Sequence, residues 1–194
     1  MNGGAMGMAH PVGQADGGHM NTTRTSPTSV HDQLPDDIRQ RERTLRALRR
    51  HSYAVLSTVS DAGAPHAAGV AYDMVGTTLY VHTLRGSRKA RNVATNERVA
   101  IVVPVRRVPF GPPFGVQFQA RAQVLAMDDR EVHDLLGAGE LGTISQHGAL
   151  EEPDGCFLRI EPRGTFHTYG IGVSVLAVAR DPLHVGARSA PVQP

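Results

Sequence analysis

The longest alternation of apolar and polar residues in the chain constrains the fold most strongly. Between residues 114 and 124, apolar or small side chains occupy every second position, namely Phe114, Val116, Phe118, Ala120, Ala122 and Val124. Glycine, glutamine and arginine occupy the positions between them. A period of two predicts a β-strand with one buried face and one polar face. A strand of this length is unusual in an open sheet and typical of strands that coil around a barrel or reach a second subunit.

Shorter strand signals lie on both sides of this segment. They cover residues 53–59, 65–73, 78–84, 98–105, 156–160 and 165–173. The first three follow one another across the turn signals Asp61-Ala62-Gly63 and Gly76, which predicts a meander. About six antiparallel strands with two or three short helices predict a mainly β fold, a six-stranded Greek-key barrel.

Two helices are predicted beside these strands. The first begins after Pro35, with Ile38, Leu45 and Leu48 on a narrow apolar stripe. Its arginines are Arg39, Arg41, Arg43, Arg46, Arg49 and Arg50. We interpret them as a solvated face in preference to a binding patch. The pair Asp128-Asp129 predicts the cap of a second short helix.

The domain organisation follows from length and local composition. A chain of 194 residues can bury one core, which we assign to residues 34–175. Residues 1–33 are rich in glycine, serine and threonine without hydrophobic periodicity, which predicts a disordered extension. Residues 176–194 are expected to form a tail.

Several function classes are disfavoured. No apolar run is long enough for a membrane span or a secretory signal, so we expect no membrane partner. The single cysteine, Cys156, fits a reducing compartment, and we therefore expect a cytoplasmic protein. The net charge of +2 argues against nucleic-acid binding, although the arginine-rich helix keeps an RNA or DNA module as a rival. The histidines lack metal-ligand spacing, and Ser145-Gln146-His147 gives no hydrolase signature, so we expect no metal site.

The most informative segment is residues 80–100, which pass from a strand through a Gly86-Ser87 turn into a short helix. Ser87 is a good N-cap, and Arg88 and Lys89 follow it; Lys89 is the only lysine in the chain. Unpaired backbone N–H groups beside a hydroxyl, a guanidinium and an ammonium form a site that phosphate favours. From the residues alone the ligand is a phosphate or another anion, and a solvated basic helix start stays as the alternative.

A helical wheel divides this short helix into two faces. Ala90, Val93 and Ala94 fall on the side that is expected to pack inward. The outward side is expected to carry Arg88, Arg91, Asn92 and Thr95.

The pattern Thr83-x-x-Gly86-Ser87-Arg88-Lys89-Ala90, followed by Asn96 and a hydrophobic strand, closely resembles the FMN-phosphate segment of pyridoxine 5′-phosphate oxidases and their split-barrel relatives. The resemblance implies an FMN-binding split β-barrel. It also implies a homodimer with cofactor sites at the subunit interface. In that family the turn grips the FMN phosphate, which implies this role for Ser87, Arg88 and Lys89, with His82 and Thr83 near the cofactor.

The chain departs from the oxidases at two places. The oxidases carry an arginine and a lysine on their second strand, whereas the corresponding segment of this chain, residues 67–73, contains neither. Their basic carboxyl-terminal segment is not recognisable after Gly170. Classical pyridoxamine phosphate oxidation is therefore not expected. The helix Lys89-Ala90-Arg91-Asn92 is similar to the Lys-x-x-Asn helix of actinobacterial split-barrel reductases, many of which use the deazaflavin coenzyme F-420, and this adds Asn92 to the implied cofactor-binding residues.

The resemblance thus implies an oxidoreductase that uses FMN, or alternatively the deazaflavin F-420, on a small organic substrate. The alternative is a non-catalytic flavin or haem carrier of the same fold. No catalytic residue is identified. Tyr72 and Tyr169 are candidates to line the cofactor ring or to donate a proton, with ordinary packing as the competing interpretation. The loop 106–113 is a candidate wall beside the cofactor, with a plain connection between strands as the alternative.

Overall fold

The computed structural model describes residues 35–106, 114–145 and 149–193. The predicted disordered extension, residues 1–33, lies outside the described residues, and so does most of the loop 106–113 that is predicted to border the cofactor.

Eight strands and five α-helices lie within the described ranges. The strands are β1 Tyr53–Val59, β2 Pro65–Ala71, β3 Asp73–Val75, β4 Thr78–Leu84, β5 Arg98–Val105, β6 Phe114–Ala126, β7 Gly155–Tyr169 and β8 Ala187–Pro191. The helices are α1 Asp36–Arg49, α2 Arg88–Thr95, α3 Arg130–Gly137, α4 Gly142–Ser145 and α5 Val175–Arg180. A 3-10 helix, Ala149–Glu151, precedes β7.

All eight strands belong to one antiparallel sheet in the order β2-β1-β5-β6-β7-β4-β3, and β8 also pairs with β7. Strands β5, β6 and β7 follow one another in space, while β4 reaches the far side of β7 through the long connection that contains α2, which is a Greek key. The sheet curls until β2 contacts β4. The predicted antiparallel Greek-key barrel is confirmed, with eight strands in place of six.

The predicted meander of the first three strand segments is wrong. β1 pairs with β2 and β3 pairs with β4, but β2 and β3 lie at opposite ends of the strand order. The chain changes direction at Tyr72, whose side chain is buried and whose hydroxyl donates to the Leu48 carbonyl at 2.6 Å. Burial of this tyrosine beneath α1 separates the two hairpins, which the alternation alone does not reveal.

The carboxyl-terminal third also differs from the prediction. Residues 156–173 were expected to form two strands, but β7 is one strand of 15 residues that ends at Tyr169. Residues 176–194 are predicted as a tail, but they contain most of α5 and all of β8, and β8 pairs with residues 165–169 of β7. Because β8 is mostly exposed and lacks an apolar alternation, its place in the sheet depends on backbone pairing that the side chains do not signal.

The main core fills the interior of the curled sheet. Inward residues of β5 and β6 such as Ile101, Val103 and Val116 are fully or almost fully buried, which confirms the predicted faces of the long strand. Helix α1 contributes Leu45 and Leu48 to the same core. Burial of each such side chain contributes about 1.5–3 kcal/mol.

A second apolar cluster lies on the outer face of β4, β6 and β7. Tyr80, Leu125 and Phe157 from these strands pack there against α3 and α4, which contribute Val132 and Ile144. The first residues of β7 are therefore buried on both faces of the sheet. This double burial fixes the start of β7, where the site described below is formed.

We expect Gly170→Ala to destabilise the fold more than Gly63→Ala. Both glycines have positive φ, +76° and +79°, which costs an alanine about 1–2 kcal/mol. A Cβ at Gly170 would also lie 2.0 Å from Phe114 Cδ1, whereas nothing lies within 4 Å of a Cβ at Gly63. Overpacking adds about 1–3 kcal/mol, so the free energy of unfolding should fall by roughly that much more in Gly170→Ala, as measured by urea denaturation. Equal losses in the two variants would contradict the packing of Phe114 on Gly170.

Candidate functional site

The turn between β4 and α2 presents a capped helix start. Ser87 is the N-cap, as predicted: its Oγ accepts from the Ala90 N–H at 3.3 Å, and its backbone is extended. The Thr83 hydroxyl donates to Ser87 Oγ at 3.2 Å, and the Ser87 N–H donates to the Leu84 carbonyl at 3.0 Å. The serine is therefore held in place from both sides of the turn.

Two backbone donors at this helix start have no acceptor among the described residues. They are the N–H groups of Arg88 and Lys89, the first two residues of α2, since Ala90 donates to Ser87 Oγ and Arg91 donates to the Ser87 carbonyl. Such N–H groups point out of the helix along its positive end and favour an anion. This arrangement is the geometric basis of an anion site.

Two cations, the side chains of Arg88 and Lys89, belong to the same residues as these N–H groups. Arg88 is exposed and Lys89 is half-buried, and neither forms an ion pair with another described residue. Lys89 lies close to the start of β7, because its charge, like that of Arg85, opposes the rise in the pKa of Cys156 that burial causes. Both side chains belong to the residues whose N–H groups are unpaired, so two cations adjoin the anion site.

Asp154, in the loop before β7, is part of the same turn and was not singled out from the sequence. Its carbonyl accepts from the Arg85 N–H at 2.8 Å, and its Oδ2 accepts from the Gly86 N–H at 3.1 Å. Arg91 completes the turn by donating from Nη1 to the Gly86 carbonyl at 2.7 Å. Asp154 thus fixes the turn, but it also brings a negative charge close to the helix start. A lone aspartate in a loop carries no sequence signal for this contact.

The structure separates His82 from the helix start. Thr83 and its neighbour His82 face opposite sides of β4, because side chains alternate along a strand. His82 packs edge-on against Phe157 at a ring-centroid distance of 5.3 Å, and its Nε2 is buried with no partner among the described residues. Burial lowers the pKa of His82, and Glu152 partly opposes this. A Cβ at Gly155 would lie 2.8 Å from Nε2, so the histidine depends on this glycine for space.

Asn92 faces the barrel, which corrects the helical wheel. Its Nδ2 donates to Thr58 Oγ1 on β1 at 2.9 Å, and the residue is buried, whereas Ala94 is exposed. A buried amide is stable only with a hydrogen-bond partner, and Thr58 supplies one. The apolar pattern alone cannot identify this partner. The side chain of Asn92 thus supports the packing of α2 and lies away from the two unpaired N–H groups.

A prominent cavity lies elsewhere on the sheet. It has a volume of about 850 Å³ and is formed at the far ends of β6, β7 and β8, where Gln117, His167, Tyr169 and Arg188 line it. Tyr169 therefore borders a cavity, while Tyr72 is buried beneath α1. The residues of the α2 turn do not line this cavity.

Among the described residues, none of the helices combines the length and the apolar character of a membrane span. The same residues contain no group of three or more histidine, cysteine, aspartate or glutamate side chains that is placed to hold a metal ion.

We expect His82 to make the fold less stable in mild acid. Since the folded-state pKa of His82 is lowered, the unfolded chain binds its proton more readily, and stability falls as the pH drops below the ordinary value of about 6.5. His82→Gln should show a smaller loss of unfolding free energy between about pH 7.5 and about pH 5.5, measured with urea. The exposed His133→Gln serves as the control. An unchanged pH dependence in His82→Gln would contradict the burial of the imidazole.

We also expect Asp154→Asn to bind inorganic phosphate more tightly. The asparagine oxygen can still accept from Gly86, but the negative charge is removed, which favours a nearby anion by about 1 kcal/mol, or roughly fivefold in affinity. Calorimetric titration measures the change, with Glu151→Gln as a control for the loss of one charge. Weaker binding in Asp154→Asn alone would contradict the placement of the anion beside this carboxylate.

Comparisons with solved structures agree with this architecture. The chain is similar to the haem storage protein HutZ of Vibrio cholerae, with 19% identity and a TM-score of 0.57 over 66% of this chain and 93% of that one. It is similar to a haem-binding protein from Mycobacterium smegmatis, with 13% identity and a TM-score of 0.60 over 82% of this chain and 60% of that one. An FAD-binding protein from Mesorhizobium loti shares 21% identity with a TM-score of 0.51, over 61% of this chain and 84% of that one. At these identities the likeness shows the fold alone.

Among curated proteins no match is found. The family model described as pyridoxamine 5′-phosphate oxidase matches residues 41–168, a range that includes β1 to β6 and all but the last residue of β7. The match contains the α2 turn and extends over more than half of the chain. The chain therefore belongs to the pyridoxamine 5′-phosphate oxidase-like family and has its split-barrel fold.

Proposed function

We propose that this protein binds the phosphate of FMN, or alternatively of the deazaflavin F-420, at the start of α2 and acts as an oxidoreductase on a small organic substrate. The observation that carries the proposal is the pair of unpaired N–H groups at Arg88 and Lys89, at the start of a helix whose N-cap is Ser87. The side chains of the same two residues are cations that lack ion-pair partners among the described residues. Family membership supports a flavin as the source of the phosphate.

The chain's own residues account for the anchoring of the cofactor. The Arg88 and Lys89 N–H groups would donate to the phosphate oxygens, and the two side chains would add charge-assisted hydrogen bonds worth about 1.5–3 kcal/mol each. A dissociation constant of 1 µM requires roughly 8 kcal/mol after the costs of association, so ring contacts must contribute as well. When bound, the flavin supplies the hydride chemistry, and the protein supplies position and electrostatics.

A second copy of the chain is proposed to complete the site for the ring. Gly86 and Arg88 are exposed and Ser87 and Lys89 are half-buried, so the phosphate anchor of one chain remains accessible to a second copy. Exposed apolar side chains support an interface, namely Leu84, 44% exposed directly before the turn, and Val102, 39% exposed on the outer face of β5. A homodimer would shield both from water. We also propose a cytoplasmic location, which the single cysteine of the sequence, Cys156, favours.

A non-catalytic carrier of flavin or haem is the second candidate. No side chain of the anchor at α2 is identified as a catalytic nucleophile or acid, and the anchor is equally compatible with storage of a cofactor. Turnover distinguishes the two candidates. A carrier retains its cofactor without exchanging electrons, whereas an oxidoreductase lets a reduced flavin be reoxidised by an organic substrate.

We expect the double variant Arg88→Ala, Lys89→Ala to bind FMN and F-420 at least about 100-fold more weakly, because two charge-assisted contacts are lost. Absorbance titration of the purified full-length protein with each cofactor measures this. Arg130→Ala with Arg180→Ala is the matched control, since it removes the same charge from exposed positions on α3 and α5. Cofactor affinity that is equal in the two double variants would disprove the anchor at α2.

A further inference from the structure

A second concentration of cations lies around a cavity that the proposed cofactor site does not use. The cavity has a volume of about 460 Å³ and lies between α1, the end of β5 and the segment after β7. Its charged or titratable lining residues are Arg43, Arg46, Arg50, His51 and Arg106, and no aspartate or glutamate lines it.

The arginines reach this cavity from two elements. Arg43, Arg46 and Arg50 are spaced by three and four residues, which places them on one face at the carboxyl-terminal half of α1. Arg106 directly follows β5 and approaches from the other wall. Like charges at these helical spacings repel each other, and the folded chain brings a fourth guanidinium towards them.

The other arginines of α1 are engaged by the protein itself. Arg41 donates from Nε to the Val192 carbonyl at 2.9 Å, and Arg49 donates from Nη2 to the Gly76 carbonyl at 3.1 Å. Arg39 bonds to Asp36. In contrast, the guanidinium groups of the four cavity arginines have neither a hydrogen bond nor an ion pair with any described residue. The unpaired guanidinium groups of this helix are therefore those that face the cavity.

The backbone around the cavity leaves room for these groups. Gly172 has a φ of +79°, and a Cβ there would lie 3.2 Å from both Cδ and Nη1 of Arg43. His51 Nδ1 bonds to the Ala47 carbonyl at 2.8 Å, so Nδ1 carries the hydrogen and Nε2 is the nitrogen left for a ligand.

We propose that this cavity binds a small polyanion with two or more phosphate groups, such as inorganic pyrophosphate or the phosphate chain of a nucleotide. Together the four guanidinium groups exceed the charge of one phosphate, and their planar donor groups suit several phosphate oxygens. The cavity volume lies within the range of small-molecule sites. A nucleic acid is disfavoured, because the net charge of the chain is only +2.

The test is calorimetric titration of the full chain with pyrophosphate at constant ionic strength. The Arg88→Ala, Lys89→Ala background is used so that the two side-chain cations at the start of α2 cannot contribute. We expect one pyrophosphate to bind saturably, with an affinity about tenfold higher than that of orthophosphate or sulfate. When Arg46→Gln and Arg106→Gln are added to this background, the affinity for pyrophosphate should fall at least about tenfold. The matched control adds Arg41→Gln and Arg49→Gln, whose partners lie outside the cavity, and should stay within about twofold.

Three outcomes would overturn the proposal. Pyrophosphate that binds no better than sulfate would show that these arginines serve only the carboxyl-terminal end of α1. Equal affinity in the cavity variant and its control would place the binding elsewhere. Tighter binding of a single-stranded oligonucleotide through the same arginines would assign the patch to nucleic acid. If the double substitution unfolds the chain, Arg50→Gln alone should still weaken pyrophosphate binding, and its failure to do so overturns the proposal equally.

Discussion

Strand β7 holds the two parts of the sheet together, because it pairs with three other strands. One edge pairs with β6 along most of its length, while the other edge pairs first with β4 and then with β8. Its first residues are buried on both faces, by the barrel core on one side and by the cluster beneath α3 and α4 on the other. These contacts fix the position of Asp154 and Gly155, and through them the turn that precedes α2.

The candidate site is a consequence of this anchoring. A helix start leaves N–H groups without intrahelical partners, and the chain uses the Ser87 hydroxyl for only one of them. Asp154 holds the neighbouring Gly86 N–H and so keeps the turn in one conformation, but its carboxylate does not reach the N–H groups of Arg88 and Lys89 in the described hydrogen bonds. The result is a rigid donor pair beside two cations, which is what an anion site requires.

The sequence predicted those features that depend on local patterns. Alternation in residues 114–124 identified the long strand and its buried face, and the Gly86-Ser87 turn identified the N-cap, because both signals come from neighbouring residues. Features that depend on distant partners were missed. The helical wheel places Asn92 outward because its partner Thr58 lies on another strand, and the sequence assigns β8 to a tail because backbone pairing with β7 leaves no side-chain pattern. His82 and Thr83 adjoin in sequence, yet the pleat of β4 directs them to opposite faces.

The central claim is that the unpaired N–H groups at the start of α2 hold the phosphate. Amide chemical shifts of the ¹⁵N-labelled protein, followed by NMR during titration with FMN, test this most directly. We expect the Arg88 and Lys89 amide signals to move downfield and to saturate with the cofactor, with larger shifts than the other backbone amides of α2. The claim would be contradicted if FMN binds and shifts amide signals elsewhere in the chain while the Arg88 and Lys89 signals stay in place.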